Sequence, residues 1–423
     1  MSANILRKIL VMIGCLSTSV VFLTLPVLAQ TLNGDWNGTL ELPDSGHLRM
    51  LFHFQETSTG LQVVLSNVDL RKQTFPPGSV NLTGRDLMIS VPALNAVYQG
   101  TLSDDQQKVS GTWAQGRRSV PLSLVPGKIA PLVLHQPEPG DLTISTPTGT
   151  LAGTILKAGE SRLAAVIISG AGPANRDGDS PINGGSGTYR NIAEGLAAHG
   201  VTTLRFDKRG VGQSATALLR EEDLRAYTSG DDVRAWAAEL KRRTGASCVW
   251  LIGHSEGAFF AELAAVGNRD ICGIVTLAGV GIGFYENWRN AMERIAPKDQ
   301  IAAIVTVLDS LQAGRPVPSP PAVMMSAFRP SIQAYMISEF AVNPAALLHK
   351  LTVPVLILQG DADTNVSVAD AQALAAARPD ATLKIFSGVD HSQRIAKDDP
   401  GRGPGPLAPG IIESIADFMK AHA

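Results

Sequence analysis

The chain carries little charge for its length: Lys and Arg number 36 and Asp and Glu 38 in 423 residues, a formal net charge of −2. No long basic or acidic block breaks that balance, which removes the positive face that phosphate binding requires. Aromatics are scarce too, with five Trp and five Tyr, too few for a base-stacking platform. The two shortages together exclude nucleic acid as a partner. Only three Cys occur, and no His/Cys spacing has the form of a structural metal site. Cys248 and Cys272 head two expected strands, so they are neighbours if those strands pair. An oxidising compartment permits a disulfide there, while two buried apolar thiols are the ordinary expectation. Long apolar runs are equally rare, and after residue 29 none is long enough to cross a bilayer. What the chain does have is 44% hydrophobic against 17% charged residues, the balance of a folded globular protein.

The first residues carry an address. Arg7 and Lys8 precede an apolar run over 9–25, then Pro26 and Val27-Leu28-Ala29. A basic flank, a short apolar stretch and small residues before a cut describe a cleaved signal peptide over 1–29. The protein is therefore expected to be exported, periplasmic or secreted, with no stable membrane span after cleavage.

A chain this long exceeds what one compact core usually holds, so one large domain plus a smaller one is expected. Over 30–125 short alternating runs, such as 36–42, 49–54, 61–65, 87–91 and 111–114, are broken by turns at 44–46, 76–78 and 103–105. No 3.6-residue period is sustained, which predicts a small antiparallel β domain, a sandwich or partial barrel. A Pro-rich linker over 126–140 follows, with Pro126, Pro131, Pro137 and Pro139. From 141 to 423 the texture changes. A hairpin at 142–145 and 150–156 precedes strands at 164–169, 201–206, 249–252, 273–278, 353–359 and 382–386. Helices at 190–199, 231–243, 258–266, 368–377 and 411–421 alternate with them. Fully apolar strands separated by amphipathic helices define an α/β fold, a mostly parallel, doubly wound sheet covered on both faces. One helical insert, about 281–350, interrupts the series at the end of a parallel strand, where it covers the usual ligand crevice as a cap.

Gly253-His254-Ser255-Glu256-Gly257 matches G-x-S-x-G. Chance alone gives roughly 0.3 matches in a chain of this length, so the pattern by itself decides little. Its context decides more: an apolar strand runs directly into it and an Ala-rich helix directly out. That is the setting of a nucleophile elbow, a sharp strand-to-helix turn with Gly on both sides where Cβ atoms would clash. The turn places the Ser255 hydroxyl at a helix N-terminus, where amides and the dipole favour negative charge.

A serine hydroxyl attacks only once a base removes its proton. Of eight His, His391 is best placed, after the last strand and before the last helix. His47 and His53 fall in the β domain, His135 in the linker, His199 at a helix end and His254 inside the elbow. His349 ends the insert and His422 lies at the C-terminus. The imidazole needs a carboxylate to hold its tautomer, and Asp361 and Asp363 both sit in the loop after strand 353–359; spacing does not separate them. Asp390 is a third candidate, although its adjacency turns its side chain away from that of His391. A tetrahedral intermediate also needs oxyanion donors. The backbone amide of Glu256 is one, and the loop Ser169-Gly170-Ala171-Gly172-Pro173 is the source of the second. Arg176, Asp177 and Asp179 either line the mouth of the site or form a structural ion pair. Asp207-Lys208-Arg209-Gly210 reads as a sharp turn rather than a binding element.

SGAGPANRDGD at 169–179, DKRGVGQS at 207–214, GHSEG, RPSIQAYMISEF at 329–340, VPVLILQGDADTNV at 353–366 and Asp390-His391 together resemble secreted bacterial α/β-hydrolase esterases of the serine aminopeptidase-like group. The resemblance covers about 141–423. It implies that the acid is the Asp of a G-x-x-D-x-x-V pattern, matched by Gly360, Asp363 and Val366, and that the insert is the cap. Relatives often open the oxyanion loop with His-Gly, where this chain has Ser169 before Gly170. The implied activity is hydrolysis of a small-molecule carboxylic ester with Ser255, His391 and Asp363 as triad and the Ala171 and Glu256 amides as oxyanion donors. No metal or organic cofactor is implied. A peptidase or acyltransferase with the same triad is the nearest rival, and an envelope-binding protein without catalysis the more distant one. Apolar cap residues point to a small acyl pocket.

Overall fold

Alternation between apolar and polar residues puts every second side chain on one face of a strand. In the N-terminal part of a computed structural model this builds β1 (Gly34–Glu41), β2 (His47–Thr57), β3 (Gly60–Asn67), β4 (Gln73–Thr74), β5 (Gly78–Thr83), β6 (Asp86–Val91), β7 (Ala96–Leu102), β8 (Val109–Gln115) and β9 (Arg118–Pro126). The structure describes residues 32–41, 47–58, 60–67, 73–75, 77–115, 118–129, 135–160, 162–180, 184–218, 220–396 and 405–423. The signal-peptide reading of 1–29 and the turn at 44–46 lie outside these residues.

All pairings among these nine strands are antiparallel, and they close on themselves. β1 pairs with β2, β2 with β3, β3 with β5, β5 through β9 in order, and β9 with β1, while β4 adds to β3. The expected sandwich or partial barrel is thus a closed eight-stranded ring, which leaves no edge among those eight strands. Phe52, Phe54, Val63, Leu65, Ile89, Tyr98 and Trp113 are buried. The Tyr98 hydroxyl lies 3.2 Å from the carbonyl of Val109 and 3.1 Å from that of Leu122, which satisfies its polar tip.

The second sheet holds β10 (Asp141–Thr146), β11 (Gly149–Leu156) and β12 (Ala164–Ile168). After a two-residue pair, β13 (Asp179–Ser180) and β14 (Gly184–Gly185), it continues with β15 (Thr202–Phe206), β16 (Val249–His254), β17 (Ile271–Leu277), β18 (Val355–Gly360) and β19 (Thr382–Phe386). Its order is β10-β11-β15-β12-β16-β17-β18-β19. β10, β11 and β15 are joined antiparallel, and every later neighbour is parallel. Within β12, Ala164, Val166 and Ile168 join one core layer and Ala165 and Ile167 the other. This is why the strand reads as continuously apolar. Helices α2 (Ala226–Thr244) and α3 (Glu256–Ala265) cover the first face through Val233, Trp236, Phe259 and Phe260. Helix α1 (Thr188–Ala198) covers the second with Ile192 and Leu196, helped by Ile411, Ile415 and Met419 of the last helix.

Between β17 and β18 the insert forms α4 (Phe284–Ile295), α5 (Ile301–Gln312), α6 (Met325–Phe328), α7 (Gln333–Phe340) and α8 (Pro344–His349). Beyond β18 come α9 (Val368–Ala377) and α10 (Ile411–Ala421). Helix α2 starts five residues before the periodicity suggests. Its N-terminal Ala226 amide is capped by the Ser338 hydroxyl of α7 at 2.9 Å, a tertiary cap that no local Ser or Asp announces. Among the described residues no helix is long and apolar enough to cross a membrane.

Cys248 and Cys272 form a disulfide, closing a separation of 24 residues. Neither is a buried free thiol: both are half-buried, beside the irregularity where Val249 pairs Ile271 but Trp250 pairs Gly273. Cross-linking a loop of this length stabilises by about 3 kcal/mol through the unfolded chain. The double variant Cys248→Ser/Cys272→Ser is expected to lose that amount in urea unfolding. A midpoint equal to that of the oxidised wild type would show that the bridge contributes nothing.

Candidate active site

β16 ends and α3 begins at Ser255, whose φ of 55° and ψ of −123° are rare for a residue with a side chain. The bend survives because its neighbours have no Cβ. A Cβ at Gly253 would stand 2.3 Å from the Gly257 carbonyl oxygen, and one at Gly257 would stand 2.4 Å from that of Ile168. The Ser255 amide donates to Leu277 O at 2.8 Å, tying the bend to β17. As the first residue of α3, Glu256 has an amide with no acceptor in the preceding turn, the amide expected to serve an oxyanion. Strain held at one residue by a rigid surrounding is common at functional sites.

His391 stands in the loop after β19. Its Nδ1 is 2.7 Å from Asp363 Oδ2, and a carboxylate only accepts, so Nδ1 carries the proton and Nε2 keeps its lone pair. Asp363 has a fully buried side chain. Its Oδ1 accepts from the amides of Asn365 at 2.8 Å and Val366 at 3.0 Å, and Gln359 Nε2 donates to Oδ2 at 3.3 Å. Burial alone would raise its pKa. The bond to His391, the positive charge that ring carries when protonated, and the two amides outweigh it and hold the carboxyl below the usual range. Asp361, two residues earlier, is exposed and accepts from the Gly388 amide at 2.6 Å instead. Asp390 accepts from the Ser392 amide at 2.7 Å and the Arg394 amide at 3.3 Å, shaping the His391 loop from below.

Ser255 and His391 line one cavity of about 890 Å³, with Gly170, Ala171 and Glu256 of the expected oxyanion wall. Phe260, Phe284, Trp288, Ile332 and Met336 give it apolar walls from α3 and the cap. This is larger than a small acyl pocket and not uniformly apolar. Lys208, Glu256, Tyr335 and Glu339 line it as well, and the Tyr335 hydroxyl donates to Glu256 Oε1 at 2.7 Å. Burial, then the neighbouring Glu256 charge, pushes the Glu339 carboxyl well up.

His254, set aside as part of the elbow, is central to the packing. Its ring centroid is 4.8 Å from that of His391. Tyr189 Oη accepts from the Gly170 amide at 2.8 Å and donates to His254 Nδ1 at 3.0 Å, and His254 Nε2 donates to the His391 carbonyl at 2.7 Å. The direction is forced at both ends, because an amide only donates and a carbonyl only accepts. Burial, then the charge of His391, lowers the His254 pKa from 6.5 to about 3; Asp363 opposes that shift and Lys208 adds to it. Below pH 6.5 the unfolded chain therefore takes a proton that the folded one refuses. This contribution to stability is complete above pH 6.5 and falls by roughly 1.4 kcal/mol per pH unit down to about pH 3. His254→Gln keeps one acceptor and one donor without titrating. The wild-type-minus-variant difference in unfolding free energy is expected to shrink by that slope as pH drops from 6.5 to 4; a pH-independent difference would contradict the assignment.

Arg176 and Asp177 are structural, not at the mouth. Arg176 is buried and pairs with Asp207 at 2.9 Å and Asp141 at 3.4 Å. Asp177 pairs with Arg205 at 2.7 Å, Arg190 at 2.9 Å and the buried His135 at 2.8 Å. Asp179 Oδ1 accepts the Gly187 amide at 2.9 Å. In the 207–210 turn Arg209 pairs with Asp232 at 2.6 Å, as a structural turn should, but Lys208 turns into the cavity.

This fold, with a helical cap over an elbow serine, defines the chain as an α/β-hydrolase. The sequence profile of the serine aminopeptidase S33 family matches residues 182–395, and the chain belongs to that family as an enzyme of the serine-hydrolase type. Esterase EstD of Thermotoga maritima is 25% identical over 322 residues, covering 72% of this chain and 71% of that one. Among solved structures, Est1E of Butyrivibrio proteoclasticus with bound ferulic acid superposes with a TM-score of 0.44 at 17% identity, over 66% of this chain and 96% of that one. The Pyrococcus furiosus esterase Pf2001 gives 0.45 at 17% identity, over 66% and 89%.

Proposed function

We propose that the protein is an exported carboxylesterase acting through Ser255, His391 and Asp363. The observation that carries this reading is the 2.7 Å contact from Asp363 to His391 Nδ1, which leaves Nε2 basic beside a cavity that Ser255 also lines. Ser255 Oγ attacks the ester carbonyl carbon as its proton passes to His391 Nε2. The oxyanion forms against the Ala171 and Glu256 amides. Collapse expels the alcohol, which takes the proton from His391. Water, deprotonated by the same nitrogen, then releases the acid and restores Ser255. Asp363 stays ionised throughout and stabilises the imidazolium. The esterase name of the Thermotoga relative supports the ester as substrate. The Cys248–Cys272 disulfide supports an oxidising compartment, in keeping with the N-terminal signal pattern.

A fluorophosphonate label on wild type beside Ser255→Ala tests the nucleophile, with labelling of the wild type alone as the expected result. A panel of 4-nitrophenyl esters of increasing acyl length against aminoacyl-arylamides tests the substrate. Turnover of the arylamides alone would move the enzyme to the peptidases.

A further inference from the structure

The expected oxyanion loop opens with Ser169-Gly170, and its backbone is held from outside the loop. Both polar groups of Gly170 are seized by side chains from other elements. Its N–H donates to Tyr189 Oη of α1 at 2.8 Å, and its carbonyl accepts from Lys208 Nζ of the turn after β15. A trans peptide directs the C=O of one residue and the N–H of the next in opposite directions. Fixing Gly170 O therefore fixes the direction of the Ala171 N–H. The same ammonium stands 3.4 Å from Glu256 Oε2, the side chain of the residue whose amide is the second expected donor. Glu256 Oε1 is held in turn by Tyr335 of the cap. Lys208 thus bridges the two segments from which both oxyanion donors come, and its side chain is largely buried, so its grip is little weakened by water.

We infer that Lys208 is a positioning residue for the oxyanion hole, setting the Ala171 amide against the Glu256 amide. The inference rests on the esterase reading, in which those two amides receive the developing charge. Lys208 makes no bond to the reacting atoms in this account and acts through the Gly170–Ala171 peptide. Its loss should then weaken what binds the tetrahedral state and leave ground-state binding alone.

In the full chain, with a 4-nitrophenyl ester as substrate, Lys208→Met is expected to lower kcat about 100-fold, the scale of losing one oxyanion donor. KM should stay within about threefold, by the same separation of transition-state from ground-state binding. Affinity for a trifluoromethyl ketone, which forms a tetrahedral adduct on the serine, should fall by the same factor as kcat. Lys208→Arg should recover part of both. Should Lys208→Met fail to fold, Lys208→Gln, which stays polar but is too short to keep both the Gly170 carbonyl and Glu256, must lower kcat and inhibitor affinity together. Wild-type kcat in either folded variant, or a loss of kcat without loss of inhibitor affinity, overturns the inference. Absence of ester turnover in the wild type would instead remove the esterase reading, and activity surviving in Ser255→Ala would remove its nucleophile, so these failures are distinguishable from that of Lys208.

Discussion

Replacing Ser255 with Ala is expected to lower kcat for ester hydrolysis by roughly 10⁵- to 10⁶-fold, as loss of the nucleophile does in enzymes whose triad acts as a unit. KM should hold near the wild-type value, because the cavity walls on α3 and the cap are untouched. The fold should also hold. The bend at residue 255 is enforced by close approach around Gly253 and Gly257 and by the amide bond to Leu277, none of which uses the hydroxyl. Alanine and serine meet the same resistance at φ 55°. Melting temperatures of the two proteins should therefore coincide, and the activity difference reads as chemistry. A residue of turnover above the uncatalysed rate is expected from the Glu256 amide and substrate binding alone, of the order of 10³-fold. A variant retaining a tenth of wild-type turnover would show that another group attacks.

Where function depends on one strand and the turn that follows, it was legible in the amino-acid order. Val249-Trp250-Leu251-Ile252 reads as a strand buried on both faces, and the two glycines of the elbow report a backbone approach that excludes Cβ. β19, α9 and α10 fall where periodicity puts them, since each carries its own boundary signals; Ser367 and Asp370, for instance, form a capping box on α9. What depends on distant partners was not legible. Alternation over 30–125 predicts strands, but ring closure is a pairing of β1 with both β2 and β9, which no local pattern encodes. The disulfide was legible only as proximity. Tyr189 lies in unremarkable local sequence, and Lys208 lies in the DKRGVGQS segment, which reads as a sharp turn; both reach the site through tertiary packing. His254 looked like a spacer within the elbow because its role is set by the His391 carbonyl 137 residues away.

The choice between Asp361 and Asp363 shows the same division and leads to a large, asymmetric effect. In a loop, two carboxylates two residues apart point to different neighbours; spacing does not say which neighbour is which, the resemblance favours Asp363, and the folded chain shows the contacts. Asp363 faces His391 Nδ1 with a buried carboxylate, whereas Asp361 faces the Gly388 amide from an exposed position. Asp363→Asn keeps the shape but offers an N–H to Nδ1. That favours the tautomer with the proton on Nε2, which cannot accept one from Ser255. A fall in kcat of about 10⁴-fold is expected, the scale of holding a triad histidine in the wrong tautomer. It should be partly relieved at high pH, where hydroxide can assist attack. Asp361→Asn keeps a carbonyl oxygen for the Gly388 amide and should cost less than about threefold, as surface changes away from special contacts usually do. Rates measured side by side decide the matter: equal losses would mean that both carboxylates orient the ring, and a larger loss at Asp361 would transfer the role to it.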